Sequence, residues 1–188
     1  RWLPLSRGLG DVYKRQTPDV IGYGTFSRGY KGPAYNVFFN QTAQQRNVIE
    51  GEDVNAWEAG LKTTSFDGRA VVNVAAFYAY YENFQANAFD TLNGVVITRL
   101  TNAGEVSTSG FEIDWALRPV DALAITGGLA YTDAQIEKFR DATGALSSAR
   151  AGERIALAPE LKYSVGVTYD IEPASLPFNV RLNTQYAY

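Results

Sequence analysis

The chain has 188 residues, a net charge of −3, 46% hydrophobic and 13% aromatic residues, and no cysteine, histidine or methionine. That composition removes disulfides, thiolate and imidazole metal sites and the commonest general base, and its negative balance lends no support to nucleic-acid binding. No apolar run is long enough for a transmembrane helix, which leaves open a membrane crossed by strands of about ten alternating residues.

Residues 1–16 stand apart. The stretch from Ser6 to Gln16 matches the translation of a transposase-based sequencing adapter, so residues 1–16 are expected to be non-native and the barrel domain to cover 17–188. The absent initial Met and the end at Tyr188 fit a truncated read.

From there seven alternating stretches follow. A first strand is predicted over Val20 to Arg28, then a polar loop from Gly29 to about Val54. A second strand over Asn55 to Thr64 puts Trp57, Ala59 and Leu61 on one face and Glu58 and Lys62 on the other. Phe66-Asp67-Gly68-Arg69 is a hairpin signal, because Asp-Gly tolerates positive φ. Asn93-Gly94 and Asn102-Ala103-Gly104-Glu105 are both turn-like. Two turns would put the short turn Arg118–Asp121 at the opposite end from Phe66–Arg69. One turn at Asn93-Gly94 keeps the short turns at one end and the long loops at the other, as in bacterial barrels. The prediction is therefore one long hairpin, Arg69 to Phe89 and Val95 to Arg118, with a bulge or bend at Gly104. In its second arm Phe111, Ile113, Trp115 and Leu117 alternate with Glu112 and Asp114. A fifth strand covers Ala122 to Thr132 and a second long loop Asp133 to Pro159. The sixth runs from Leu161 to Ile171, and a turn from Glu172 to Pro177 leads to the last, from Phe178.

The fold class is thus all-β and antiparallel. A soluble β-sandwich also alternates, but Tyr23, Trp57, Tyr78, Tyr80, Trp115, Tyr131, Tyr163 and Tyr169 gather near strand ends, as aromatic girdles of membrane barrels do. Trp57, Trp115, Tyr131, Tyr163 and Tyr169 are expected to face outer-membrane lipid. Arg28, Glu58, Lys62, Glu112, Asp114, Lys162 and Arg181 are expected to line the lumen. No enzyme is expected, since alternation alone explains the shared face of Glu112 and Asp114.

Four segments carry a family resemblance: Tyr23 to Asn36; Trp57 to Lys62 with Phe66–Arg69 and Asn73–Tyr78; Asn102–Glu105 through Glu112, with Arg118-Pro119 and Gly128–Thr132; and Ala158-Pro159-Glu160. Together they resemble the barrel of TonB-dependent outer-membrane receptors, most closely the siderophore-receptor branch. The resemblance implies an open arc of about seven strands from a twenty-two-stranded transmembrane β-barrel in the Gram-negative outer membrane. It implies uptake of a ferric siderophore or similar scarce nutrient, energised by the TonB–ExbB–ExbD complex through an N-terminal part outside this chain. It calls for no cofactor and no protein-ligated metal. A passive porin-like channel and a soluble binding module remain the alternatives. In such receptors ligand is met on the extracellular loops, where this chain offers Tyr30, Lys31, Tyr35, Arg46, Asn83, Phe84, Gln85, Arg140, Arg150 and Arg154. Arginine and tyrosine suit an anionic, aromatic chelate.

Overall fold

The computed structural model describes residues 9–36, 48–92, 94–140, 145–155, 158–172 and 179–188, with side chains from Thr17 onward except those of 88–92. Every described element is a strand. Eight build the main path of one antiparallel sheet: β1 (Leu9–Thr17), β2 (Val20–Lys31), β5 (Glu52–Ser65), β6 (Ala70–Leu92), β7 (Val95–Val120), β8 (Leu123–Arg140), β10 (Leu161–Ile171) and β11 (Val180–Ala187), adjacent in that order. β9 (Leu146–Ser147) adds to β8, while β3 (Ala34–Tyr35) and β4 (Val48–Ile49) form a separate two-stranded ribbon. Among the described residues, β1 and β11 do not pair, so the sheet stays open.

The long hairpin is present: β6 and β7 pair from Ala70–Leu117 up to Leu92–Val95, and Asn102–Glu105 lies inside β7. The register shifts on both sides of Phe84, and Gly104 takes φ 135. A Cβ there would fall 2.0 Å from the Lys138 carbonyl oxygen, so the bulge needs glycine. At the other end the Phe66–Arg69 turn puts Phe66, Asp67 and Gly68 all at positive φ, closed by Arg69 N–H donating to the Phe66 carbonyl.

Three expectations change. Residues 9–16, expected to lie outside the barrel domain, form β1 together with Thr17 and pair with β2 from Leu9–Ser27 to Thr17–Val20. Ladder hydrogen bonds are made by main chain, so the β2 edge accepts an extended neighbour delivered by a short turn whatever its side chains; pairing does not bear on the segment's origin. β8 continues to Arg140 where a loop from Asp133 was expected, because β7 above Gly110 offers an edge: Ser109, Ser107 and Glu105 pair with Asp133, Gln135 and Lys138. The returning chain then lies along β8, with Ile136 N–H donating to Glu153 and Ile155 N–H to Ala134. Third, Arg28 changes face, as the register below shows.

Cross-strand partners share a face, so the register sorts side chains. One face carries Phe26, Trp57 and Tyr78, then Phe111–Tyr131, Leu61–Val74–Ile113–Leu129–Tyr163, Val72–Trp115, Leu117–Ile125 and Leu123–Tyr169–Leu182. All five residues expected on the lipid side fall here, and large ones stay open, with Trp57 46% exposed and Leu182 55%. Among the described residues the buried apolar ones are only Ile49, Ala79, Val106 and Ala134. A sandwich would cover this face with a second sheet, and the described residues supply none.

Arg28 pairs with Asn55, one row beyond Phe26–Trp57, and so stands on the apolar face's side. The charge suggested the lumen, but β2 alternates too weakly to fix its own parity. At that height the face has already turned polar, and Arg28 reaches Asp53 at 3.5 Å. Tyr23 is the converse: expected in the girdle, it lies on the charged face.

Candidate functional site at the loop end

On the charged face Glu58, Lys62, Glu112, Asp114, Lys162 and Arg181 fall together, as expected. Tyr23 hydroxyl donates to Glu58 Oε1 at 2.7 Å, and Lys62 Nζ lies 5.4 Å above the same ring. Gly60 leaves room for that ring, since a Cβ would sit 2.3 Å from it. Ala130 has Glu112 on one flank and Lys162 on the other, and Asn73 lies between Lys62 and Asp114. Arg181 Nε donates to Asp170 at 2.6 Å. These charges of both signs suit a wet interior. They do not converge on a reacting atom, and the described residues hold no cluster of three metal-ligating side chains.

The turns joining β1–β2, β5–β6, β7–β8 and β10–β11 share one end of the sheet, so the β2–β5 and β8–β10 connections and the β6–β7 tip share the other. At this loop end, beyond the aromatic row, the outer face becomes polar. Tyr80 hydroxyl donates to Glu105, which also meets Lys138 Nζ at 2.9 Å; Ser107 donates to Glu137 at 2.6 Å. The Tyr80 hydrogen bond holds the Glu105 carboxyl below its ordinary range, with Lys138 assisting against the cost of burial. Burial, then Glu105, raises the Tyr80 phenol.

The described parts of the segment between β2 and β5, residues 32–36 and 48–51, lie against the upper β6–β7 hairpin as a strap, and three side-chain amides fasten them. Asn102 accepts from Glu50 N–H at 2.7 Å and donates back to the Glu50 carbonyl at 3.0 Å. Asn36 does the same with Leu100, at 2.9 and 2.7 Å. The Asn36 amide thus imitates a strand's N–H and C=O on the edge of β7 that β8 does not pair, since β8 meets β7 only from Gly104 down, while the Asn102 amide does so for the strap's main chain. Gln85 donates to the Gly32 and Glu50 carbonyls at 3.1 and 2.9 Å, and its own N–H donates to Glu52. Where strap, β7 and β8 meet, a depression of about 290 Å³ is lined by Val48–Glu50, Arg99–Asn102 and Arg140.

The expected ligand contacts divide accordingly. Tyr30 and Tyr35 are exposed, at 68% and 67%, and Lys31 is exposed beside them. Arg140 lines the depression and donates to Asn83 Oδ1 at 3.2 Å. Gln85 is 6% exposed; its amide nitrogen donates to the strap, while its Oε1 has no hydrogen-bond partner among the described residues. Phe84 packs edge-on against Tyr81. Arg150 bonds Glu153 and lies over Phe139, while Arg154 holds Glu160 at 2.6 Å and Asp133 at 3.7 Å, so both fasten the β8–β10 connection. Arg46 lies outside the described residues. Arg99, Asn36 and Asn102 were missed: asparagine in a turn-like string reads as a turn, and their partners lie 52 and 64 residues away in sequence.

Comparison with known proteins fits this geometry. The β-barrel profile of the TonB dependent receptor-like family matches residues 7–188. The metal-pseudopaline receptor CntO of Pseudomonas aeruginosa is 27% identical over 130 residues, covering 69% of this chain and 17% of its own length. The ferric yersiniabactin uptake receptor FyuA of Yersinia pestis superposes with a TM-score of 0.69 at 16% identity, over 95% of this chain and 24% of that one. The ferric preacinetobactin receptor BauA of Acinetobacter baumannii gives 0.64 at 17%, over 94% and 24%. The chain therefore spans about a quarter or less of the length of these relatives. With an open antiparallel sheet, one apolar face and the family profile over nearly its whole length, the chain belongs to the TonB-dependent receptor β-barrel family of the Gram-negative outer membrane.

Proposed function

We propose that this segment forms part of the barrel wall and extracellular surface of an active-transport receptor for a ferric siderophore or a similar metal chelate. In this reading TonB–ExbB–ExbD drives uptake through an N-terminal part outside residues 1–188. The observation that carries it is the coincidence of the family match with a sheet whose long connections, bearing Tyr30, Lys31, Tyr35 and Arg140, share one end. Relatives named for pseudopaline, yersiniabactin and preacinetobactin support metal chelates as the substrate class. The charged face then lines the lumen, the apolar face meets lipid, and no side chain need ligate a metal that arrives already chelated.

Of the loop residues, Tyr30, Lys31, Tyr35, Arg46, Asn83, Phe84, Gln85, Arg140, Arg150 and Arg154 stay candidates for ligand contact, with Arg99 added. Residues 6–16 remain read as adapter-derived, and a genomic copy with the same codons upstream of Thr17 would end that reading.

The function is tested by deleting the complete gene and measuring radiolabelled iron uptake from siderophore-containing medium under iron limitation, with and without TonB. TonB-dependent uptake lost on deletion supports the reading. TonB-independent leakage of small solutes through the protein supports a passive channel, and recovery in the soluble fraction without detergent supports a binding module.

A further inference from the structure

The geometry points to the strap and the upper β6–β7 hairpin being one conformational unit, hinged on a single row of bulges and fastened by Asn36, Gln85 and Asn102 as positioning residues. Two independent observations carry this. At one height, three adjacent strands lose register together: β6 against β7 on both sides of Phe84, and β7 against β8 between Glu105 and Val106. Asn83 and Gly104, both at positive φ, sit in that row. A bulge leaves a residue unpaired and interrupts the ladder, so bending concentrates there. Above the row, β7 has no β8 partner. Its upper part is held by β6 and by the strap, whose main chain is gripped at Gly32 and Glu50 while Asn36 grips Leu100.

Moving the hairpin without the strap would strand buried amides, Gln85 at 6% and Asn102 at 8% exposure, and leaving a buried polar group unpaired costs more than keeping the two bodies together. Among the described residues, contacts that span the joint include Arg140 of β8 to Asn83 and the Gln85 N–H to Glu52 of β5. The depression also straddles it, with Val48–Glu50 and Arg99–Asn102 on the moving side and Arg140 on the fixed side, so its width follows the hinge.

The test is hydrogen exchange in the complete receptor, with heat-modifiable gel mobility confirming a folded barrel. A common unit opens as one, so Asn36→Ala, which removes only the Leu100 bonds, accelerates exchange at the Glu50 amide as well as at Leu100, by about 10- to 100-fold. Asn102→Ala does the same in reverse. Both leave Ile113 and Leu129, below the row, at the parent rate. If Asn36→Ala speeds Leu100 alone, the strap and hairpin are independent and the inference is wrong. Should Asn102→Ala fail to fold, Asn36→Ala decides by itself.

Discussion

Replacing Ile113 by arginine tests which face meets lipid and how deep each row lies. The aromatic row Trp57–Tyr78 continues to Ser109 in β7, and Ile113 is four residues further on. At about 3.4 Å per residue that is roughly 14 Å along the strand, or about 10 Å of depth at a tilt near 40°. An apolar band about 25 Å tall has its midplane about 12 Å below its edge, so Ile113 sits close to the centre. A cation there is expected to cost about 2–4 kcal/mol. Ser109→Arg, at the band's edge, is expected to cost about 0–1 kcal/mol. Asp114→Arg, on the charged face, should cost no more than the edge substitution. The assay is reversible denaturant unfolding of the full-length receptor in phospholipid vesicles, followed by tryptophan fluorescence. If Ile113→Arg costs under about 1 kcal/mol while Asp114→Arg is severe, the two faces have been exchanged and the membrane reading fails.

Four further outcomes follow from the same geometry. Phe66→Gly relieves a bulky residue at φ 54 in an exposed turn and should stabilise by about 1 kcal/mol, read as a higher unfolding midpoint; an unchanged or lower midpoint removes the strain argument. Gly104→Ala combines a forbidden φ with a clash against the Lys138 carbonyl and should destabilise by about 1–3 kcal/mol, whereas Gly94→Ala, where nothing lies within 4 Å, meets only the φ penalty. Because the folded Glu105 carboxyl is lowered, its stabilisation is complete above about pH 4.5 and is lost as the pH falls through the lower folded value. Glu105→Gln should therefore melt below the parent at pH 7 and converge with it as the pH falls through the lowered folded value, and a gap constant with pH would contradict this. The raised Tyr80 phenol acts at the other extreme, stabilising below pH 10 and losing that contribution as the pH rises further. Arg154→Ala releases Asp133 and Glu160, both partly exposed, and should cost about 1 kcal/mol or less while making the 145–160 connection more sensitive to protease.

Alternation made the sheet legible wherever both faces were distinct. β7 shows this best: Phe111, Ile113, Trp115 and Leu117 against Glu112 and Asp114 fixed a register that carries through to β5 and β10. The parity of short turns and long loops also merged β7 across Asn102–Glu105, although the local signal there is that of a turn. Where a strand leaves the membrane, that contrast disappears. Upper β8 alternates Asp133, Gln135 and Glu137 with Ala134 and Ile136, an outer face turned polar, and so reads as loop until β7 is seen beside it. Arg28 fails for the same reason, a charge on the outer face one row above Trp57. The amide fasteners were illegible in a different way. Nothing local separates an asparagine that starts a turn from one that holds main chain 52 residues away.

Asn36 apart, the amides grip the strap by its main chain. Asn102 and Gln85 hold N–H and C=O groups at Gly32 and Glu50, which any residue except proline supplies at the donor position and every residue supplies at the acceptor. The identity of the residues between those anchor points, Asn36 excepted, is thereby uncoupled from these bonds. With Asn36 kept, a cell-surface protein exposed to phage and antibodies can rewrite the remaining positions, changing what an attacker recognises while its scaffold stays in place.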